Sequence, residues 1–504
     1  MTEPWTVMTG LLGAELTKFR SVRGWLVGCG IAAVLMVAFA VLAAAGTDAR
    51  VGGPGGPRSG PPVGPDGTAV IDNFTLVAQP LAGDGTLTVR VASLTGTALR
   101  PPPPGSTASP APESPSQEAP EAWAKAGLIM KSSTTPGSAY AAVMVTGDHG
   151  VRMQHDFVHD LAGPADARWL RLVRAGGTVT AYASADGAAW TKVGSAPLAA
   201  GEATAGIFVA TPPHEEFEQF VGGTSIIGGG ALATGTFDSL TAEGTRPGGD
   251  WNAMAVGGDD RPDRPDVGST RVGDSFTVTG TGDIAPVSGA GGPKLEQTLV
   301  GAFAAVTVLA VLGVLFVTTE YRRGMVRTTF AATPGRVRVL AAKAVVLGAI
   351  TFALGLVTAT AALLVGTAIR GGNHYPVGVG TEVRIVVGTA ALLAVATVLA
   401  LAIGTILRRG AGAVAAVVVL ITLPYILSAA AVLPAVTADW VLRITPAAAF
   451  AVQQTVPEWP QVEQAYTPAF GFFPLPAWGG FAVLCGWTAL ALAIAAALLR
   501  RRDA

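Results

Sequence analysis

"TLVGAFAAVTVLAVLGVLFVTTEYRRGMVRTTFAATPGRVRVLAAK" (residues 298–343) joins a long apolar run to a segment that is rich in arginine. A helix that crosses a hydrocarbon layer of about 30 Å needs roughly 20 apolar residues, and the first half of the stretch supplies them. The second half carries a single acid, Glu320, among its cations. The stretch therefore predicts a transmembrane helix followed by a cationic segment at one membrane surface.

Six apolar runs of this length occur in the chain, which is 50% hydrophobic and only 13% charged. Soluble domains are nearer one-quarter charged, so the composition indicates a membrane protein. Backbone groups in lipid must be hydrogen-bonded within their own segment, so each run is predicted to be a helix. The runs begin at Trp25, Thr298, Ala344, Ile385, Ala411 and Gly479. The first is longer than the apolar part of a signal peptide, roughly 7 to 15 residues, which favours an uncleaved anchor over a cleaved signal.

Arginine and lysine near the ends of the runs predict the orientation of the helices. One set of ends carries most of these cations, namely Lys18, Arg20, Arg23, the segment 319–343, Arg408, Arg409, Arg500, Arg501 and Arg502. Apart from the long insert between the first two runs, the opposite set carries only Arg370, Arg384 and Arg443. We therefore expect a multi-pass protein of the cell (plasma) membrane with both termini and residues 319–343 in the cytoplasm. Residues about 47–295 are then extracytoplasmic.

The segment before the first run has a helical pattern. Leu12, Leu16 and Phe19 share one helical face, and Glu15 and Lys18 lie off it. This spacing predicts an amphipathic helix within residues 1–23, at the inner membrane surface. The alternative is that these residues form only the positively charged flank of the first transmembrane helix, residues 24–46.

The polar region between the first two runs consists of short β-like segments separated by turn residues. In "RWLRLVRAGGTVTAYASADGAAWTKVG" (168–194), a Gly-Gly turn and an Asp-Gly turn separate three strands. Many short strands of this kind are typical of a β-sandwich. The predicted fold class is an α-helical polytopic membrane protein with six transmembrane helices and a large extracytoplasmic all-β sandwich insert. The predicted segments are a Pro/Gly linker (47–67), the sandwich (68–245) with a disordered loop (100–120), a linker with a terminal β segment (246–295), and the remaining helices (296–504) with an extracytoplasmic segment (434–476).

The hairpin that carries Trp169 and Trp190 resembles concanavalin-like and laminin-G-like modules, which often bind carbohydrate. The resemblance implies an extracellular glycan or peptide ligand, and packing within the hairpin is the alternative role for the two tryptophans. His155 and His159 lie four residues apart, but the local pattern is strand and loop, so no metal site is expected. Calcium binding by the acidic turns is left open.

The chain lacks two common signatures of nucleotide-driven or nucleophilic chemistry. No G-x-x-x-x-G-K-[ST] occurs, so the chain has no phosphate-binding loop of its own, and no G-x-S-x-G occurs. The apolar runs hold almost no carboxylates, which disfavours an ion-coupled carrier. We therefore expect no catalytic, cofactor-binding or metal-binding residue in this chain, no nucleic-acid partner, and energy supplied by a partner.

The stretch 320–343 is similar to the cytoplasmic loop between the second and third helices of ABC type-2 transporter permeases, especially those of the actinobacterial type. The opening "AELTKFRSVRGW", the six runs and the long segment before the last run are also similar to that family. The resemblance implies a dimer with a second permease copy or homologue, in which each permease binds a separate ATPase subunit that carries the ATP. It also implies that a coupling elbow (319–343) contacts the ATPase through Glu320, Tyr321, Arg322, Arg323, Met325, Arg327 and Thr328.

The expected function is therefore that of the membrane-spanning permease of an ATP-driven exporter with an unknown substrate, not an enzyme itself. The alternative is a membrane-anchored module that binds or senses glycan or cell wall and uses the helices as scaffold or signal relay. Neither the transported substrate nor the choice between a homodimer and a heterodimer follows from the sequence.

Overall fold

A computed structural model describes residues 4–51, 61–98, 119–220, 223–244, 250–257, 268–287, 292–325, 335–464 and 466–501 of the 504-residue chain. Its helices are α1 (Pro4–Ser21), α2 (Arg23–Val51), α3 (Ala302–Arg322), α4 (Arg336–Ile369), α5 (Val379–Leu407), α6 (Gly410–Val417), α7 (Leu423–Ala429), α8 (Ala435–Ile444) and α9 (Ala477–Arg501). Within these ranges, six helical stretches are long and apolar enough to cross a membrane. They are Arg23–Gly46, Leu295–Arg322, Arg336–Ile369, Val379–Leu407, Gly410–Ala429 and Ala477–Arg501, which agrees with the six predicted runs.

The third candidate span begins earlier than its apolar run. Its 34 residues, Arg336–Ile369, make a helix about 51 Å long at 1.5 Å per residue, which exceeds the hydrocarbon thickness of about 30 Å. The first two turns carry Arg336, Arg338 and Lys343, so the helix continues out of the apolar layer into the cationic segment. The predicted elbow therefore contains the beginning of α4.

The fifth candidate span is interrupted by a π-helical turn, Val418–Thr422, between α6 and α7. Pro424 lies just after this turn. Proline lacks a backbone N–H and its ring clashes with the preceding turn, so a regular α-helix cannot pass through it. A wider turn absorbs the mismatch while the helix continues.

The segment between the last two spans folds back on itself. Helix α8 and a 3₁₀ helix, Pro446–Gln453, are bent by 99° relative to each other, and the pair together is apolar enough to form a broken span or a re-entrant loop. All eight residues of the 3₁₀ helix are buried. A second 3₁₀ turn, Pro468–Phe470, follows.

The insert between α2 and α3 is a β domain. Its strands are β1 (Val70–Asp72), β2 (Phe74–Ala82), β3 (Gly85–Ala98), β4 (Lys125–Lys131), β5 (Tyr140–Thr146), β6 (Val151–His155), β7 (His159–Ala162), β8 (Trp169–Ala175), β9 (Thr178–Ser184), β10 (Thr191–Pro197), β11 (Glu202–Ala210), β12 (His214–Phe220), β13 (Gly223–Gly229), β14 (Ala231–Gly244), β15 (Asn252–Val256), β16 (Gly268–Val272), β17 (Ser275–Gly280) and β18 (Ile284–Pro286). One seven-stranded sheet has the order β10-β9-β8-β3-β14-β17-β16 and the other the order β15-β2-β11-β4-β5-β6-β7. Two short sheets, β1-β18 and β12-β13, complete the β domain. The pairings among the described strands are antiparallel.

One hydrophobic cluster contains side chains from both seven-stranded sheets, for example Leu128 and Ile207 from one and Leu172 and Phe237 from the other. Alternation of buried and exposed residues along strands such as β8 places one side of each strand in this cluster. The opposite face of the β2-β11-β4-β5 sheet carries a second cluster that includes Phe157 and Ile284. The predicted all-β insert is therefore present, and one of its two sheets is buried on both faces.

The boundaries of the β domain differ from the predicted ones. The region 246–295, expected to be a linker with a terminal β segment, contributes β15, which pairs with β2, and β17, which pairs with β14. The last strand, β18, pairs with β1. The expected terminal β segment corresponds to β17 and β18, whereas β15 lies in the stretch expected to be linker, which is rich in Gly, Asp and Pro. The predicted disordered loop at 100–120 lies almost entirely outside the described residues.

Two buried lysines attach the short β1-β18 sheet to β4. Lys131, at the end of β4, donates to Asp72 Oδ2 of β1 over 2.8 Å, and the two side chains have no exposed surface. Lys125, at the start of β4, donates to Asp283 Oδ1 over 2.5 Å and to the Ile284 carbonyl over 2.8 Å. Because β1 follows the first span and β18 precedes the second, these contacts fix the two chain ends of the β domain to its main sheet.

Candidate functional site

Glu320 lies in the last turn of α3 and is buried, with 3% of its surface exposed. Its Oε1 accepts a hydrogen bond from Lys343 Nζ of α4 over 2.5 Å and a further one from Lys18 Nζ of α1. Burying a carboxylate without a partner would cost several kcal/mol, and two ammonium groups provide the compensation. The lone acid of the cationic segment thus faces inward.

Lys343 also connects to α1, because its Nζ donates to Glu15 Oε1 over 2.7 Å and to Glu15 Oε2 over 2.8 Å. We call the four side chains Glu15, Lys18, Glu320 and Lys343 the charge cluster. It contains two acids and two bases, so it is neutral as a whole. Both ammonium groups also lie near the ring of Phe316, 5.8 Å from its centroid for Lys18 and 5.1 Å for Lys343. The charge cluster therefore joins α1, α3 and α4 at one end of the helical part.

Lys18 is the most accessible member of the charge cluster, with 32% of its side chain exposed. Burial and the nearby Lys343 ammonium lower the pKa of Lys18 to about 8, and Glu15 acts in the opposite direction. The contact with Glu320 also favours the charged form of Lys18. A rise in pH can therefore remove a positive charge from the charge cluster at Lys18.

The residues that follow Glu320 differ in exposure. Tyr321 is partly buried against the helical core, and the guanidinium carbon of Arg408 lies 5.1 Å from its ring centroid. Arg322, Arg323 and Met325 are exposed, and we call these three the cationic patch. Of the residues that the resemblance assigns to the ATPase contact, the structure thus brings the cationic patch to the surface and buries Glu320. Arg327 and Thr328 lie outside the described residues.

Gly324 ends the helix that carries the cationic patch. Its φ of +72° is in the left-handed region, which glycine adopts without strain. The N–H of Arg323 bonds back to the Thr319 carbonyl, which is typical of a capped helix end. The patch is therefore held on a defined helix terminus, directly beside the charge cluster.

Sequence reasoning did not identify Glu15 and Lys343 as part of the site. The amphipathic pattern had placed Glu15 away from the packed face of α1, whereas the structure buries it beside Phe19 and leaves Leu16 42% exposed. The available signal was a charged residue at the edge of each apolar pattern, Glu15 in α1 and Lys343 at the start of the third run. Such isolated charges near apolar segments indicate partners, although they do not say which ones.

No group of three or more His, Cys, Asp or Glu side chains that could hold a metal ion occurs in the part of the chain that the structure describes. His155 and His159 stack with ring centroids 4.3 Å apart, and their acidic neighbours are Asp156 and Asp66. Trp190 lies against the Arg171 guanidinium, whose carbon is 3.8 Å from the ring centroid. This tryptophan therefore packs on its own hairpin.

Comparison with solved structures gives only partial similarity. A protein of unknown function from Saccharomyces cerevisiae matches over 34% of this chain and 74% of its own, with 16% identity and a TM-score of 0.16. A scytalido-glutamic peptidase, solved with a transition-state analogue inhibitor, matches over 43% of this chain and 100% of its own, with 11% identity and a TM-score of 0.24. No significant match occurs among curated proteins.

A protein-family model described as "ABC-2 family transporter protein" matches residues 151–504. The match covers more than half of the chain and includes the five candidate spans that follow the β domain as well as the second half of that domain. Apolar helices, the cationic patch and the buried charge cluster beside it are consistent with this assignment. The chain therefore belongs to the ABC-2 family of transporter proteins, a family of multi-pass membrane components of ABC transporters.

Proposed function

We propose that this chain is the permease subunit of an ATP-driven exporter and that the cationic patch is the surface on which a separate ATPase subunit acts. Family membership implies an ATPase partner and a membrane context. The observation that carries the proposal is the position of Arg322, Arg323 and Met325, exposed at the end of a candidate span. Glu320 and Tyr321 support the surface from behind, and we assign Arg327 and Thr328, which follow it in the sequence, to the same contact.

The charge cluster gives the proposed contact a mechanical consequence. A push on the cationic patch reaches Glu320 within one helical turn, and Glu320 is bonded to α4 and α1 through Lys343 and Lys18. The ends of α1, α3 and α4 must then move together, because separating them would expose buried, unpaired charges. A partner that binds one arrangement better than the other shifts the equilibrium between two arrangements of the helices. We propose a dimer of two such permeases, each with its ATPase.

Reversal of charge on the cationic patch tests this contact. We expect the double variant Arg322→Glu, Arg323→Glu to lose ATPase association at least tenfold, because two attractive charge contacts become repulsive. The measurement is recovery of an ATP-binding subunit with the full chain purified from its own cell membranes. The matched control is Arg500→Glu, Arg501→Glu, which reverses two exposed arginines at the end of α9. Equal recovery with both double variants would remove the cationic patch from the contact.

Cysteine labelling tests the proposed orientation, with both termini in the cytoplasm and the β domain outside. In a chain whose Cys29 and Cys485 are replaced by alanine, we expect Met325→Cys to resist a membrane-impermeant thiol reagent added to intact cells. Val272→Cys, 79% exposed on β16, is expected to react under the same conditions. Labelling of Met325→Cys from outside would invert the orientation and overturn the ATPase contact.

We also propose that the β domain is a closed sandwich of the laminin-G-like type with an extracellular ligand. The shared hydrophobic cluster of its two antiparallel sheets supports the sandwich.

The alternative role of the protein, a binding or sensing module, can be distinguished from transport by deleting the β domain. That deletion should span residues 61–287, because a cut after residue 245 would leave β15 and β17 without the strands with which they pair.

A further inference from the structure

Within the described residues, a buried hydrogen bond joins the β domain to the segment between the last two spans, and β13 also lies against the 3₁₀ turn Pro468–Phe470 of that segment. Gln461 Nε2 donates to the carbonyl oxygen of Phe157 over 3.1 Å. Gln461 is 2% exposed and Phe157 is 1% exposed, so the contact is shielded from solvent. The bond links residues 304 positions apart in the chain, between the insert and the helical part.

The β-domain side of this contact has an unusual backbone. Asp156 and Phe157 are consecutive and have φ values of 49° and 70°, in the left-handed region that non-glycine residues rarely adopt. These two residues belong to the turn between β6 and β7, which the pairing of His155 with His159 closes, and tight hairpin turns of this kind use positive φ values. Here the Phe157 ring lies edge-on to Tyr140 at 4.9 Å, and the Lys131 ammonium is 5.5 Å from its centroid.

The other side of the contact is short of hydrogen bonds. We call residues 459–464 with Tyr466 and Thr467 the outer latch. Within the described residues, three side chains of the outer latch contain buried polar atoms without a hydrogen-bond partner: Nε1 of Trp459, both amide atoms of Gln464 and Oγ1 of Thr467. Most buried polar groups in folded proteins are paired, so a concentration of unpaired ones in one short segment needs an explanation.

The outer latch is nevertheless held together internally. The Tyr466 hydroxyl accepts a hydrogen bond from the backbone N–H of Trp459 over 3.0 Å. The hydroxyl oxygen also lies 2.9 Å from the carbonyl oxygen of Trp459 and 3.1 Å from that of Val462. Beside the segment is a cavity of about 200 Å³ whose lining includes Asp66 and Thr68 of the insert and Tyr375 and Trp459 of the helical part. The segment can therefore move as a unit, and there is space next to it.

From these observations we propose that the outer latch has two positions, one seated on Phe157 as described here and one released from it. The unpaired groups of the latch raise the energy of the seated position, and the Gln461 bond with the burial around it holds the latch there. Release hydrates the polar atoms. On the proposed transport function, release accompanies opening of the transporter on the β-domain side, so the insert controls that opening.

Distance measurements between spin labels on the full chain in lipid nanodiscs test the two positions. The labels are placed at Glu463→Cys in the outer latch and Lys192→Cys on β10, both exposed, with Cys29 and Cys485 replaced by alanine. We expect two distance populations. Gln461→Met should raise the ratio of released to seated molecules about fivefold, the factor that corresponds to one ordinary hydrogen bond.

Two further variants keep the test decisive. Gln464→Met should shift the ratio toward the seated position, because it removes two buried amide atoms that lack a partner, and this variant does not depend on removing a contact. The matched control is Gln453→Met, which removes a buried glutamine that donates to Thr389 Oγ1 within the helical part, and it should leave the ratio unchanged. A single spin-label distance that is the same in all variants would overturn the proposal of two latch positions. Equal shifts of the ratio for Gln461→Met and Gln453→Met would overturn it as well.

The same experiment separates the outer latch from the proposed transport function. A chain whose distances shift as described but whose cationic patch binds no ATPase would retain the latch and lose the transporter mechanism. The converse result, ATPase binding with one fixed distance, would retain the transporter and remove the latch.

Discussion

Lys343→Met is expected to destabilise the protein by about 3–5 kcal/mol, the range for breaking a buried ion pair by removing one partner. The substitution leaves the carboxylates of Glu15 and Glu320 buried with only Lys18 to compensate them. Because Lys343 bonds Glu15 of α1, α1 should also lose its ion pair with α4, while Lys18 still bonds Glu320 of α3. The measurements are thermal unfolding of the purified full chain and hydrogen–deuterium exchange of residues 4–21.

Two companion variants identify the cause of this loss. Arg338→Met removes an exposed cation from the same helix and should change stability by less than about 0.5 kcal/mol, as is usual for surface substitutions. The double variant Glu15→Met, Lys343→Met removes an opposite pair and leaves Lys18 with Glu320, so it should recover most of the stability. If Lys343→Met behaved like Arg338→Met, the charge cluster would not hold the three helices together.

Lys131→Met is also expected to destabilise the β domain by about 3–5 kcal/mol, since it leaves the fully buried Asp72 without its cation. Asp72 Oδ2 would keep only the N–H of Gly137 as a donor, at 2.8 Å. The loss should appear first as faster hydrogen exchange in β1 and β18, which Lys131 and Lys125 attach to β4. Burial lowers the pKa of Lys131, and the nearby Asp72 carboxylate opposes that shift.

An exposed ion pair in the same domain provides the control for Lys131→Met. Arg90 Nη1 and Asp238 Oδ2 lie 3.2 Å apart, and the Arg90 side chain is 48% exposed. Surface pairs of this kind contribute about 0–1 kcal/mol, so Arg90→Met should have little effect. A loss with Arg90→Met as large as that with Lys131→Met would show that β1 is not held by its buried charge pair.

The six candidate spans could be predicted because length and composition alone decide whether a helix suits a hydrocarbon layer. Strand-length segments with turn residues also predicted the β insert. The fifth span shows the limit of this reasoning: its apolar run is continuous in sequence, yet Pro424 forces a π-helical turn within it. The terminal β segment was predicted, but β15 was taken for linker because so short a strand has no pattern that shows its partner, β2, far away in the chain.

By itself the sequence determined what each segment is suited to, namely apolar helices, alternating strands and an arginine-rich segment after the second run, since periodicity and composition act locally. Only the tertiary structure decided which charges neutralise one another. Glu320, which the resemblance assigns to the ATPase contact, is buried with Lys18 and Lys343, and Gln461 meets Phe157 from 304 positions away in the chain. The reason is physical: a buried charge or amide gains its stability from a partner brought close by folding, and local sequence carries no information about that distance.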